Sequence, residues 1–329
     1  MQKNIRWGIL GTGWIARKFA DALAVAQGCE LYAVGSRNAK QASDFAAEYK
    51  IPKSYGSYLE LVKNAEVDVI YIATPHNLHF DNTVLALNHG KHVLCEKPIG
   101  VNKREAAEMY RIAAEKGLFL MEAMWSRFLP HIIKTKELID EGVIGDITLL
   151  TATFCVRSEH GPEHRHYNID LCGGTILDIG IYNIFLSLFL LGKPAGFTAS
   201  ATLSNQGIDT NCSYNFTYPD GKMAVMYSSF LANPDVVAEV HGTKGSISLE
   251  HMWFCPGRVR LKTKDGVETV LSFDVRGNGY ELEAEEVAEC LHAGRLTSRL
   301  WTPDDSLMLA GMMDEIRLTC GVVYPAHDF

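Results

Sequence analysis

Three residues of this chain are best suited by type and spacing to move a proton: Lys97, within Cys95-Glu96-Lys97-Pro98, and the pair Asp178 and Tyr182. Lys97 follows the short run Lys91-His92-Val93-Leu94. At the carboxyl end of a buried strand, stiffened by a proline, a lysine is placed to hold a reacting oxygen or a cofactor ribose. Asp178 and Tyr182 lie in the run Gly173-Gly174-Thr175-Ile176-Leu177-Asp178-Ile179-Gly180-Ile181-Tyr182. A helix that begins near Gly174 puts both on one face, where a carboxylate and a phenol can grip neighbouring substrate hydroxyls. Helix capping and core packing use the same residue types, so the surrounding elements must decide.

Those elements alternate from the start. Arg6–Leu10 reads as a strand, and Ile15–Ala26 repeats apolar residues at a helical period. Strands follow at Glu30–Gly35, Val67–Ala73, His92–Cys95 and Leu118–Glu122, with helices at Ala39–Tyr49, Ser57–Asn64, Leu78–His89 and Lys103–Glu115. Repeated βα units predict an α/β domain with a parallel, doubly wound sheet over residues 1–122. Gly11-Thr12-Gly13-Trp14-Ile15-Ala16 stands between the first strand and helix. It is a G-x-G-x-x-A fingerprint in the strand-turn-helix context that dinucleotide binding requires. Gly11 allows the tight turn, Gly13 the approach of a pyrophosphate, and the first helical N–H groups, at Trp14 and Ile15, face the phosphates.

The end of the second strand selects the nucleotide. An NAD enzyme places a carboxylate there for the ribose hydroxyls. This chain has Gly35-Ser36-Arg37-Asn38, and a serine hydroxyl with an arginine fork suits a 2′-phosphate. NADP is therefore expected over NAD. The third strand runs into Thr74-Pro75-His76-Asn77-Leu78-His79, and Thr74, Pro75 and His79 are assigned to the nicotinamide ribose, with Asn77 as a cap for the next helix.

From residue 123 to 329 the pattern changes. A long strand at 145–156 precedes β signals from Phe197 to Val275, with turns at Pro219-Asp220-Gly221 and Lys264-Asp265-Gly266. These predict a large, open, mostly antiparallel sheet in an α/β domain. Helices at Leu282–Ala293 and Pro303–Leu318 are too few to cover it, so its second face is expected to pack on another subunit in a homodimer. His160, His164 and His166, with Glu159 and Glu163, fit no zinc spacing, and no metal is expected. That stretch reads as a loop covering a substrate.

Composition excludes other classes. The chain of 329 residues has a net charge of −8 and no basic block, against nucleic-acid binding. The apolar run Ile184–Leu191 is too short to span a bilayer, and no membrane partner is expected. Met1 leads almost directly into the first strand, and the eight scattered cysteines include no C-x-x-C pair. A cytoplasmic protein with reduced thiols is expected.

The ordered set Gly11-x-Gly13-x-x-Ala16, Thr74-Pro75 to His79, Glu96-Lys97-Pro98, and Gly173-Gly174 with Asp178 and Tyr182 resembles the Gfo/Idh/MocA oxidoreductases over essentially the whole chain. The resemblance implies a Rossmann domain followed by a domain whose open sheet makes dimer contacts. It also implies NAD(P)-dependent redox of sugars, inositols and related alcohols. Many members carry histidine where Tyr182 stands. The tyrosine, with Glu122–Pro130, resembles the branch that includes the dimeric dihydrodiol dehydrogenases. By that resemblance Glu96 and Lys97 meet the cofactor, and Trp125, Phe154, Asp178 and Trp253 line the substrate pocket.

The expected reaction is hydride transfer between nicotinamide and a carbinol or carbonyl carbon of a sugar or cyclic trans-diol. A free phenol near pKa 10 is a weak base at neutral pH, and an adjacent ammonium lowers it. Tyr182 is assigned the proton and Lys97 the reacting oxygen, while sequence spacing leaves the reverse open. An inositol-type polyol dehydrogenase and an NADP-sensing regulator without turnover are the competing readings.

Overall fold

The computed structural model describes residues 3–329. The chain opens with β1 (Ile5–Leu10), α1 (Trp14–Leu23), β2 (Cys29–Gly35), α2 (Ala39–Tyr49), β3 (Lys53–Tyr55), α3 (Tyr58–Val62) and β4 (Val69–Ile72). Next come α4 (His79–Asn88), β5 (His92–Glu96), α5 (Lys103–Lys116) and β6 (Leu120–Ala123). The strands form a wholly parallel sheet in the order β3-β2-β1-β4-β5-β6. Every residue of β4 is buried, as a strand covered on both faces requires. Order reverses between β1 and β4, which opens a crevice at their carboxyl ends. Side-chain caps fix the helix starts: Asn38, Ser57 and Asn102 accept from Gln41, Glu60 and Glu105 N–H groups.

The second half contributes α6 (Pro130–Asp140), β7 (Ile147–Cys155), α7 (Ile181–Leu191), β8 (Gly196–Leu203), β9 (Asp209–Thr217), β10 (Met223–Ser229) and β11 (Ala238–Gly242). It continues with β12 (Gly245–Leu249), β13 (Arg258–Thr263), β14 (Glu268–Ser272), α8 (Tyr280–His292), α9 (Pro303–Thr319) and α10 (Pro325–Asp328). Eight strands make one sheet, ordered β14-β13-β12-β11-β7-β10-β9-β8 and antiparallel except at β7/β10. Helix α7 packs on β7 and β10. On the opposite face Met223, Val225 and Tyr227 of β10 are each about 40% exposed. The helical run Ile169–Leu191 has the length and apolarity to cross a membrane, and 89% of its most apolar window is buried inside the protein. It is the core helix beneath this sheet.

The chain divides into two compact units, and the division differs from the expected boundary after residue 122. The first unit continues to Phe128 and takes back Val275–Leu307. The reason is local packing. Helix α8 lies on α1, with Tyr280 stacked on Trp125 at 4.2 Å and the Gln27 N–H donating to Glu285 at 2.6 Å. The second unit comprises Leu129–Asp274 and Met308–Phe329. Strand β3 escaped the sequence pattern because its three residues, Lys53-Ser54-Tyr55, are polar and largely exposed. Asn77 does not cap α4: a short 3-10 turn precedes that helix, and the Asn77 side-chain oxygen is buried without a partner. None of the eight cysteines forms a disulfide.

Candidate active site

In the first unit a cleft of about 570 Å³ lies at the carboxyl ends of β1, β2 and β4. Gly11, Thr12 and Gly13 form its floor, Ser36, Arg37 and Tyr58 one wall, and Ala73, Thr74 and Pro75 another. Gly11 has φ +118°, and a Cβ there would sit 2.7 Å from the Ala73 carbonyl oxygen. A Cβ on Gly13 would instead point into open space over the cleft, so the missing side chain is what leaves the cradle free. Helix α1 begins at Gly13 without a side-chain cap, which leaves its first-turn N–H groups to an anion. These features fit a dinucleotide.

The cleft's charges are arranged for a phosphate. Arg37 is exposed and lies beside the Tyr58 phenol, which burial pushes up and the guanidinium pulls down. Arg17, from α1, enters the same cleft with its guanidinium 5.4 Å from the Phe45 ring centroid. Asp44 is the one lining carboxylate, and Lys40 pairs with it at 2.6 Å.

Beyond β4 and β5 two loops are pinned together. His79 is fully buried, with Nδ1 2.7 Å from the Pro98 carbonyl oxygen and Nε2 2.8 Å from that of Thr74. Burial first, then the Lys97 ammonium, lowers its pKa against these backbone contacts. Both ring nitrogens thus face backbone, so His79 joins the loop at Thr74 to the loop at Pro98. The Lys97-Pro98 peptide is cis. Glu96 turns inward, accepting from the Tyr71 hydroxyl and from the Lys97 N–H at 3.2 Å. Behind the loop, buried Glu122 accepts from the Ile99 N–H at 3.0 Å, Trp301 Nε1 at 3.2 Å and Ser306 Oγ at 2.7 Å. Burial pushes Glu122 up, and these donors and the Lys97 ammonium oppose it.

In the second unit Asp178 lies in a π turn, Ile176–Gly180, that leads into α7. Such wide turns often mark functional positions. Asp178 is 5% exposed, with its Oδ1 2.9 Å from Arg165 Nη1 and its Oδ2 3.6 Å from His166 Nε2. Burial lowers the His166 pKa to about 4, leaving the ring neutral at pH 7. Its Nδ1 is 2.8 Å from Ser158 Oγ; a hydroxyl donating there leaves the Nε2–H directed at Asp178. Arg165 is then the charge that balances Asp178. Tyr182 is 5% exposed and packs against Phe154 and Phe254, at 5.3 and 5.2 Å between centroids.

Trp253 requires correction as a pocket residue. It is 1% exposed, its indole N–H donates to the Thr153 carbonyl at 3.1 Å, and its own carbonyl meets His131 Nε2 at 2.8 Å. Its neighbour Phe254 is the ring that stacks on Phe154 at 4.0 Å and meets Tyr182. Trp14 is 68% exposed, and neither it nor Ile15 lines the cleft with a side chain. Trp125 is buried against Tyr280 in the first unit. Lys97 belongs to the first unit, and Asp178, Tyr182 and Phe154 belong to the second. Sequence reading missed Arg17, Tyr58, Glu122, Arg165 and Phe254. Only Arg17 left a usable signal, four residues after Gly13 and so one turn along α1.

Comparison with known proteins agrees with this picture. A family model described as the GFO/IDH/MocA oxidoreductase family with an NAD-binding Rossmann fold matches residues 5–124. One described as the GFO/IDH/MocA C-terminal domain matches residues 132–248. The chain is 38% identical over 330 residues to trans-1,2-dihydrobenzene-1,2-diol dehydrogenase of Mus musculus, with 98% of each chain covered. It is 34% identical over 331 residues to the NADP(+) scyllo-inositol 2-dehydrogenase of Bacillus subtilis, covering 98% of this chain and 99% of that one. Among solved structures, a 3-ketoreductase from Actinomadura kijaniata in complex with NADP and TDP-benzene has a TM-score of 0.88 at 27% identity, covering 97% and 98% of the two chains.

Proposed function

Since the chain belongs to the Gfo/Idh/MocA oxidoreductase family, we propose that it is an NADP-dependent dehydrogenase acting on a carbinol carbon of a sugar or cyclic trans-diol. The observation that carries the cofactor reading is the cleft wall: Ser36 and Arg37 beyond β2, Arg17 from α1, and a single carboxylate already paired with Lys40. That wall suits a 2′-phosphate. The NADP named for the Bacillus and Actinomadura proteins supports the same choice.

When bound, the cofactor supplies the hydride acceptor at C4 of its nicotinamide. The backbone of Gly11–Ile15 would hold the pyrophosphate, Ser36 and Arg37 the 2′-phosphate, and Thr74, Pro75 and Lys97 the nicotinamide side. In this proposal Lys97 donates to the reacting oxygen and Tyr182 takes and returns the proton. Asp178, balanced by Arg165, fixes an adjacent hydroxyl. The aromatic walls Phe154 and Phe254 favour a ring-shaped substrate, in keeping with the diol and inositol named for the two curated relatives.

The test is NADPH absorbance with a panel of pentoses, hexoses, inositols and cyclic trans-diols. Turnover on none, with tight NADP binding, would make the chain a silent NADP sensor. We also place the chain in the cytoplasm, on eight cysteines that form no disulfide, and as a homodimer through the exposed face of the eight-stranded sheet. A monomeric mass in sedimentation at micromolar concentration would overturn the dimer.

A further inference from the structure

The inner face of α4 is polar at its start and apolar beyond. Its buried residues are His79, Asn82, Thr83, Ala86 and Leu87, spaced as one face of a helix. Polar side chains buried in this way are costly unless each meets a partner. Two of the three polar ones are directed at a single residue. His79 Nε2 lies 2.8 Å from the Thr74 carbonyl oxygen, and Asn82 Nδ2 donates to Thr74 Oγ1 at 3.2 Å. Thr74 follows β4 and lines the cleft beside Pro75. It is 8% exposed and Asn82 7%, so little water competes for their contact.

The direction of that contact matters. An amide nitrogen only donates, so the Thr74 oxygen accepts and its own hydrogen is left over. No acceptor among the described residues takes that hydrogen. A donor so deeply buried ordinarily finds an acceptor, and Thr74 borders the cleft, whose occupant can supply one. An oxygen in place of the amide nitrogen would instead draw the hydrogen inward. Sheet order puts Thr74, beyond β4, on the other side of β1 from Ser36 and Arg37, beyond β2. A dinucleotide with its 2′-phosphate on Arg37 therefore brings its other half toward Thr74.

We propose that Asn82 is a positioning residue for the cofactor: it holds Thr74 Oγ1 as an acceptor and so commits the Thr74 hydroxyl to donate to an oxygen of the nicotinamide half. Asn82 does not line the cleft. It acts through Thr74, by the polarity of one buried hydrogen bond. This deepens the NADP reading above and rests on it.

The test needs no substrate. Asn82→Asp reverses the bond, because a carboxylate only accepts and draws the hydroxyl inward. Asn82→Leu removes the donor without supplying an acceptor. Each is made in wild type and in Thr74→Val, and NADPH is titrated by fluorescence at about pH 8, where a carboxyl is ionised. Thr74→Val alone should raise the dissociation constant about 5- to 10-fold, the loss of one hydrogen bond. Asn82→Asp should weaken NADPH at least as much. That loss should shrink by the same factor in Thr74→Val, where no hydroxyl remains to turn. Asn82→Leu should cost up to about threefold, from freeing one side chain among its staggered rotamers, and nothing in Thr74→Val. Adenosine 2′,5′-bisphosphate lacks the nicotinamide half; by calorimetry it should bind Thr74→Val and Asn82→Leu as tightly as wild type. Losses that are independent in the two backgrounds would overturn the proposal. So would a harmless Asn82→Asp, which would put the amide oxygen against Thr74. A bisphosphate weakened in step with NADPH would overturn it too, by tracing the effect to a disturbed loop. If Asn82→Asp does not fold, the Asn82→Leu pair decides by the same criterion. Wild type that binds neither ligand would overturn the NADP reading and this proposal with it. Binding of both, with independent losses, would overturn the role of Asn82 alone.

Discussion

Arg165 Nη1 lies 2.9 Å from Asp178 Oδ1, and the guanidinium comes from a loop thirteen residues earlier in the chain. That loop, with its three histidines, invites a metal reading from sequence. In the fold it is the electrostatic support of a carboxylate proposed to hold substrate. The rings of His160 and His164 stack face to face at 3.7 Å, while His166 stacks on Phe230 at 4.5 Å.

Arg165→Gln should therefore weaken substrate without touching the cofactor. The Arg165 side chain is 46% exposed, so its pairing is worth only about 1 kcal/mol, roughly a fivefold rise in KM. Affinity for NADPH, read by fluorescence titration, should not change. A variant with wild-type KM on every substrate turned over would remove Arg165 from the site.

In the proposed site Arg37 carries the cofactor choice. Its exchange for alanine removes a charge-assisted contact to the 2′-phosphate, worth about 1.5–3 kcal/mol. The dissociation constant for NADP+ should rise by roughly 10- to 100-fold, and that for NAD+ should stay put. Ser36→Asp adds a repelling charge and should push the ratio further toward NAD+. Equal losses for the two nucleotides would show that Arg37 serves the cleft's stability and not its selectivity.

Much of this site was legible because parallel sheets write their order plainly. Gly11 and Gly13 stand at a strand-to-helix turn, and the all-apolar Val69–Ile72 fixes a central strand. What stayed hidden is what sequence periodicity does not encode. Helix α8 returns to cover α1 from some 250 residues away, as the Gln27–Glu285 contact shows. A buried acid such as Glu283 reads as an ordinary helical glutamate, because helix composition tolerates Glu at any face. Trp253 and Phe254 illustrate the same limit at single-residue scale. In the turn between β12 and β13 no alternation tells which ring faces Tyr182.

His79 is predicted to matter through stability and through the two loops at once. Its ring faces the carbonyls of Thr74 and Pro98 in full burial. His79→Phe keeps a ring but removes the single N–H that a neutral imidazole can donate to one of those carbonyls, at a cost of about 1–3 kcal/mol. The urea midpoint should fall accordingly, and NADPH should bind more weakly because both loops border its proposed site. An unchanged midpoint would show that the carbonyls find other donors.

Asp209 should give the second unit a pH-dependent stability of defined sign. Its Oδ2 accepts from Thr175 Oγ1 at 2.6 Å and from the Ile176 N–H at 2.8 Å, which ties β9 to the start of the turn that carries Asp178. The other oxygen is buried without a partner, against Gly174, whose φ of +118° and missing side chain make room for it. Burial, opposed by those donors, raises the Asp209 pKa from 3.8 to about 6. Between those values the folded chain holds a proton that the unfolded chain has lost. Stability from this group is therefore full below pH 4, declines as pH rises to 6, and is flat above. The two-unit shift corresponds to a loss on the order of 3 kcal/mol. Asp209→Asn cannot ionise, so relative to wild type it should gain about that amount between pH 4 and pH 7. Urea unfolding of both proteins at four pH values reads the difference directly, since other titrating groups are common to both. A gap that does not change with pH would mean that Asp209 is already ionised in the fold at pH 4, held by Thr175 and Ile176 more strongly than burial opposes.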